Sequence, residues 1–159
     1  MAALSFSQPN QPTPNKIMAN YYATARSNYF AVSDEQAFRD WATLLGLEIL
    51  EPTHHDKVAD GIRRFAISPS NCGDSGAWPT SLYNDDTDDF DDIDVSEQLS
   101  AHLADNEVAI LMEVGNEKLR YVSGSAVAVN NKGQCATVNL DDIYQAARKL
   151  GSNITRSEY

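Results

Sequence analysis

Phe38, Trp41, Ala42 and Leu45 recur at the three- and four-residue intervals that line up one face of an α-helix. Ser33 followed by Gln36 reads as a capping box ahead of that face, Asp34 and Glu35 complement the positive end of the helix dipole, and Gly46 supplies the stop. Before this helix, Tyr21 to Val32 is rich in aromatic and small residues and predicts a strand. After it, Leu47 to Leu50 and Ile62 to Ile67 are short strands joined by a polar connection with an Asp60-Gly61 turn, a hairpin pattern. Ser68 to Pro79 reads as loop, and Val95 to Leu103 as a short helix with Leu99 and Leu103 on its apolar side.

The pattern then turns to β. Glu107 to Val114, Lys118 to Ser123, Ser125 to Asn130 and Gln134 to Val138 form a meander of three or four strands, with a turn at Asn131-Lys132-Gly133. Cys135 falls inside it and reads as a core thiol. Asn139 is expected to cap a last helix, with Asp141 and Asp142 in its first turn, Arg148 and Lys149 in its last, and Gly151 to end it. The order lacks regular βα alternation, so the expected class is α+β: an antiparallel sheet with two or three helices packed on one face. One domain over residues 19–151 is expected, since 159 residues suffice for a single core. Residues 1–18, with three prolines among Gln, Asn and Ser, read as a disordered extension, with Met18 a candidate start, and residues 152–159 as a tail.

Charge changes this picture at one place. Asp85, Asp86, Asp88, Asp89, Asp91, Asp92 and Asp94 are interrupted only by Thr87, Phe90 and Ile93. They sit in a stretch from Phe65 to Glu117 that has no Lys or Arg and holds 13 of the 23 acidic residues. The net charge of −11 is thus a local field, and mutual repulsion is expected to keep the run, within an acidic segment 84–97, extended or mobile. Such a field disfavours direct binding to nucleic acid and to anionic membranes and favours a basic partner. No apolar stretch approaches the roughly 20 residues of a membrane span, and no secretory h-region is present, so a cytoplasmic location is expected.

Candidate chemistry is sparse. Gly73-Asp74-Ser75-Gly76 resembles the nucleophile loop of chymotrypsin-like proteases, but the chain is too short for two barrels and the tetrapeptide suits any tight turn. His54-His55-Asp56 with Cys72 lacks a second pair at zinc spacing. An EF-hand register starting at Asp86 puts Asp88 third and Glu97 twelfth, but places Phe90 fifth and Asp91 where glycine is required. A nucleophilic Cys72 would need a lowered thiol pKa, which the acidic sequence around it does not favour. No cofactor or metal is expected. The acidic run itself reads either as a solvated tract or as a docking segment. Tyr83, Phe90 and Ile93 favour docking, because apolar anchors within a charged rim serve an interface and not solubility.

Several stretches, Tyr21 to Phe30, Gly73 to Tyr83, Val108 to Asn130 and Leu140 to Tyr144, resemble a family of small acidic proteins encoded on bacterial plasmids, integrative elements and phages. The resemblance implies a mobile-element origin and carries no activity or catalytic residue with it. Mobile elements carry acidic inhibitors of host defence, of the antirestriction and anti-CRISPR kinds. The expected function is therefore a non-enzymatic nucleic-acid mimic. Its partner-binding set is Tyr83, Asp85, Asp86, Asp88, Asp89, Phe90, Asp91, Asp92, Ile93, Asp94 and Glu97, facing a basic nucleic-acid-binding host protein. An immunity-type protein that neutralises a basic toxin, and a small enzyme using Cys72, Asp74, Ser75 and Trp78, are the alternatives.

Overall fold

The computed structural model describes residues 21–53, 61–69, 75–118 and 121–156. The expected extension 1–18, the His54-His55-Asp56 cluster, Cys72 and Asp74 lie outside these described residues. In chain order the elements are β1 (Tyr21–Ser27), α1 (Glu35–Leu44), β2 (Glu48–Leu50), β3 (Ala66–Ser68), β4 (Ser81–Asn84) and β5 (Asp89–Asp92). Then follow α2 (Val95–Ser100), β6 (Val108–Glu117), β7 (Tyr121–Asn130), β8 (Cys135–Asn139) and α3 (Asp142–Ala147). A four-stranded antiparallel sheet runs β1-β6-β7-β8, with β2-β3 and β4-β5 as separate hairpins. This is the expected α+β class, with the meander at the C-terminal end.

The first strand ends five residues earlier than its composition predicts, for a reason visible at Asn28. Its backbone N–H donates to Ile110 O at 3.1 Å, while its side chain accepts from Ile110 N–H at 2.7 Å and donates to Val108 O at 3.1 Å. The amide side chain thus continues the ladder on β6, and the backbone is free to leave the sheet. It does so to carry Phe30 into the core, where Phe30 bridges Phe65 and Val32 bridges Leu103. Ser27, the buried polar residue, accepts from Ile67 N–H at 2.8 Å and donates to Asn28 O, so β1 is stitched to β3.

Helix α1 presents the predicted face. Phe38 and Ala42 are fully buried, and Phe38 packs edge-on to Phe30 at 5.8 Å and against Phe65 at 5.6 Å. Its cap is Asp34 and not Ser33: the Asp34 carboxylate accepts from Ala37 N–H at 3.0 Å, while Gln36 donates to Asp40 instead of reaching back. The stop at Gly46 is as expected, with φ +67°, Gly46 N–H on Thr43 O and Leu47 N–H on Ala42 O, a Schellman closure. Helix α2, whose Val95 and Leu99 are buried, lies against β6 and β7, and α1 shares with it the core to which the sheet contributes Ala109, Leu111 and Val129.

The C-terminal half departs from expectation in three ways. The two strands expected around Gly124 are one strand, β7, paired without interruption to β6; Gly124 lies against the Leu140 side chain, where a Cβ would come 2.9 Å from Leu140 Cδ1 and displace that flexible side chain. Cys135 is exposed rather than in the core, since all five residues of β8 lie at an edge beyond the cover of the helices. Helix α3 is shorter than predicted and has no buried residue. Asn139 does not cap it; its N–H is held by the Asp142 carboxylate at 2.8 Å, and the helix ends before Arg148 and Lys149. So two helices, and not a third, pack on the sheet. No helix among the described residues is long and apolar enough to cross a membrane.

The two edges of the sheet are unlike. Along β1, Ala23 N–H donates to Ser75 O at 2.7 Å, and Gly76, at φ +70°, sits so close that a Cβ would overlap Ala23 O. The other edge, β8, is open among the described residues.

Candidate binding site, an acidic hairpin

The aspartate run forms the turn and the second strand of a β-hairpin; of the two expected alternatives, extended or mobile, Asp89–Asp92 take the extended one, paired to a neighbouring strand. Strands β4 and β5 pair Ser81 with Asp92, Leu82 with Asp91, Tyr83 with Phe90 and Asn84 with Asp89. The four residues between, Asp85 to Asp88, form the turn. Asn84 organises it: its side-chain oxygen accepts from Asp86 N–H at 3.0 Å and its carbonyl from Thr87 N–H at 3.3 Å. Asp88 closes the turn at φ +55°, a left-handed conformation that Asp tolerates better than most residues.

What overcomes the repulsion is the root of the hairpin. Leu82 and Ile93 are half-buried against the core, and Ile93 N–H donates to Thr80 O at 2.9 Å. Ile93 is therefore a foundation of the hairpin and not an exposed anchor. Asp94 is structural as well, because its carboxylate caps α2 by accepting from Ser96 N–H at 2.8 Å, Glu97 N–H at 3.2 Å and the Ser96 hydroxyl. The Ser96 hydroxyl, aided by the two amides and opposed by partial burial, holds the Asp94 pKa below its ordinary value. Asp94→Ala should lower stability by about 1 kcal/mol, and Asp94→Asn by much less, because Asn caps as well as Asp. Equal urea midpoints for wild type and Asp94→Ala would contradict this role.

Beyond the root, the two faces of the hairpin differ. One carries Tyr83 and Phe90, a cross-strand aromatic pair at 5.3 Å in edge-to-face contact, with Asp92 beside it. The pair is 46 % and 64 % exposed. The Tyr83 hydroxyl donates to the Asp88 carboxylate, which raises the tyrosine pKa, as does slight burial. The other face carries Asp89 and Asp91, with Asn84 Nδ2 donating to Asp91 at 2.8 Å. Alternate residues of an extended strand are roughly 6.5 to 7 Å apart, so these carboxylates form a row.

The same basic-free stretch contains acids already engaged elsewhere. Glu107 pairs with Arg64 at 3.1 Å and accepts from Ala31 N–H at 3.0 Å. Glu113 accepts from the Tyr21 hydroxyl and from Trp78 N–H, both at 2.9 Å. By contrast Asp85, Asp86, Asp88, Asp89, Asp91 and Asp92 are exposed, and none is in an ion pair among the described residues. Glu97 is exposed in the first turn of α2, close in sequence to the root. The surplus negative charge is thereby concentrated on the hairpin. Sequence reasoning missed Asn84 and Leu82, which make it a hairpin; the signal available was an Asx-type turn flanked by Leu82 and Ile93.

Of the loop considered for catalysis, Ser75 and Trp78 are among the described residues. Ser75 Oγ accepts from Ala77 N–H at 3.3 Å, and its carbonyl is docked on β1. No group of three or more metal-ligating side chains is assembled among the described residues. No protein-family model matches the chain, and no curated protein or solved structure matches it significantly.

Proposed function

We propose that the protein is a binding protein, of the kind carried by mobile elements against host defence, whose acidic hairpin occupies a cationic nucleic-acid-binding surface of a host protein. The observation that carries the proposal is the hairpin itself: six exposed carboxylates without ion-pair partners among the described residues, around an exposed Tyr83–Phe90 pair, on a support rooted in the core. A rigid display of carboxylates substitutes for phosphates at arginine, since both accept paired N–H donors, and the attraction begins at a distance and speeds encounter. The aromatic pair supplies the apolar contact that fixes register once charge has brought the surfaces together. Order favours the role as well, because a preformed hairpin loses less conformational entropy on docking than a flexible tract would.

The test is capture on immobilised protein from lysate of a bacterial host at low and high salt, followed by elution with duplex DNA or with RNA. A nucleic-acid-binding protein should be retained at low salt, released as screening grows, and displaced by nucleic acid. Retention that is indifferent to both salt and nucleic acid would count against mimicry, and a toxin as the displaced protein would favour the immunity alternative.

A further inference from the structure

The four-stranded sheet has a second face that no element covers among the described residues. Strand alternation puts Ala109, Leu111 and Val129 into the core and turns Val108, Ile110, Met112 and Val114 of β6 the other way, in register with Asn130, Ala128, Ala126 and Gly124 of β7. Met112 is 56 % exposed, Val114 53 % and Val138, on the same face of β8, 63 %. Leu140, at the Gly124 end, is the first residue of the C-terminal segment to reach this face, and α3 beyond it buries nothing.

We infer that this face is a dimer interface that pairs two copies of the chain sheet on sheet. Three observations select a second copy as the occupant. The first is shape: β6 presents a ridge of large side chains and β7, beside it, a trough at Ala126 and Ala128, bounded at Gly124 by the Leu140 side chain. A two-fold axis parallel to the strands and midway between β6 and β7 lays each ridge into the partner's trough, so that Met112 meets the partner's Ala126 and Ile110 meets the partner's Ala128. Such self-complementarity is what a two-fold interface requires. The second is charge. In a chain of net charge −11, the strand positions of this face carry one charged side chain, Arg26, which is held at the rim by the Tyr29 hydroxyl at 3.0 Å. The hairpin is rooted on the opposite side, beside Leu111 and Val127. Two copies can therefore meet here with their acidic hairpins turned away from each other, well beyond the ~8 to 10 Å over which salt leaves charges unscreened. The third is area. Strands of seven, ten, ten and five residues, at about 3.3 Å per residue and about 4.8 Å apart, give a face on the order of 500 Å², or about 1,000 Å² for the pair, the lower bound of a specific interface.

The full chain should elute with a light-scattering mass twice its 17.5 kDa and fall towards the monomer on dilution. Met112→Glu, at an exposed position that the monomer fold does not need, should weaken the dimer by about a hundredfold or more, because it places an unpaired charge in a dry interface; its far-UV circular dichroism should be unchanged. Ala128→Arg serves as a second disruptor should Met112→Glu fail to fold. A wild-type mass of one chain at every concentration overturns the inference, whether the face is then covered by the C-terminal segment or by a foreign protein. So does a dimer that survives both substitutions, which would place the contact elsewhere, at the open β8 edge for instance.

Discussion

Replacing Asp88, Asp89, Asp91 and Asp92 together with Asn is expected to abolish capture of the basic partner while leaving the fold at least as stable as wild type. The fold should hold because the bonds these side chains make are ones an amide oxygen can also accept: Tyr83 hydroxyl to Asp88, Phe90 N–H to Asp89, and Asn84 Nδ2 to Asp91. Asn also tolerates the left-handed backbone at position 88. Removing four like charges from one hairpin relieves repulsion. Binding should fail because each lost charge pair costs about 1 kcal/mol at contact in water, so four together amount to about 4 kcal/mol, or roughly a thousandfold. Isothermal titration against the captured partner measures the loss, and urea denaturation checks the fold. Affinity within a few-fold of wild type would remove the hairpin from the interface.

Phe38→Ala should be the most damaging single change to the fold, at about 3 to 5 kcal/mol. The ring is fully buried and stands between Phe30, Phe65 and Trp41, joining the helix to the strand bridge beneath it. A small domain has a total stability of about 5 to 15 kcal/mol, so the variant would sit close to unfolding at room temperature. Trp41 fluorescence during urea denaturation reports it directly, since Trp41 neighbours Phe38. A loss below about 1 kcal/mol, the range of surface substitutions, would mean the ring is not the centre of the core.

Much of this fold was legible because local and tertiary preferences agree. The face of α1, the stop at Gly46, the β2-β3 pairing and the meander follow from periodicity and turn chemistry, and the structure shifts their ends by a few residues. The cap falls on Asp34 and not on Ser33 because two good capping residues are adjacent and only the local geometry chooses between them. Asn28 ends β1 early by acting as a piece of backbone, which no propensity encodes. Cys135 could not be placed from the pattern, since Ala136 and Val138 alternate with polar neighbours whether or not a helix covers them. The hairpin was hidden for a different reason: charge repulsion is the dominant local effect, yet Leu82 and Ile93 outweigh it by packing on a core built from residues distant in sequence, while the local Asn84 turn joins the strands. Hence the residues of the acidic run were legible as a group, and their division into display (Asp85, Asp86, Asp88, Asp89, Asp91, Asp92) and support (Ile93, Asp94) was not.

The stopper on β1 has a consequence for how this protein can fail. Open sheet edges recruit further strands, and a molecule with two of them can add copies at both ends without limit, the route to filaments. Here the docking of Ser75 and Gly76 against Ala23 covers one end of the four-stranded sheet, leaving β8 as its open edge among the described residues. Between single chains, edge addition through β8 then terminates after one event, whereas a pair joined through the sheet face carries two such edges, so the closed β1 edge limits growth of the single chain. Gly76, which permits the close approach, is the residue on which that limit rests.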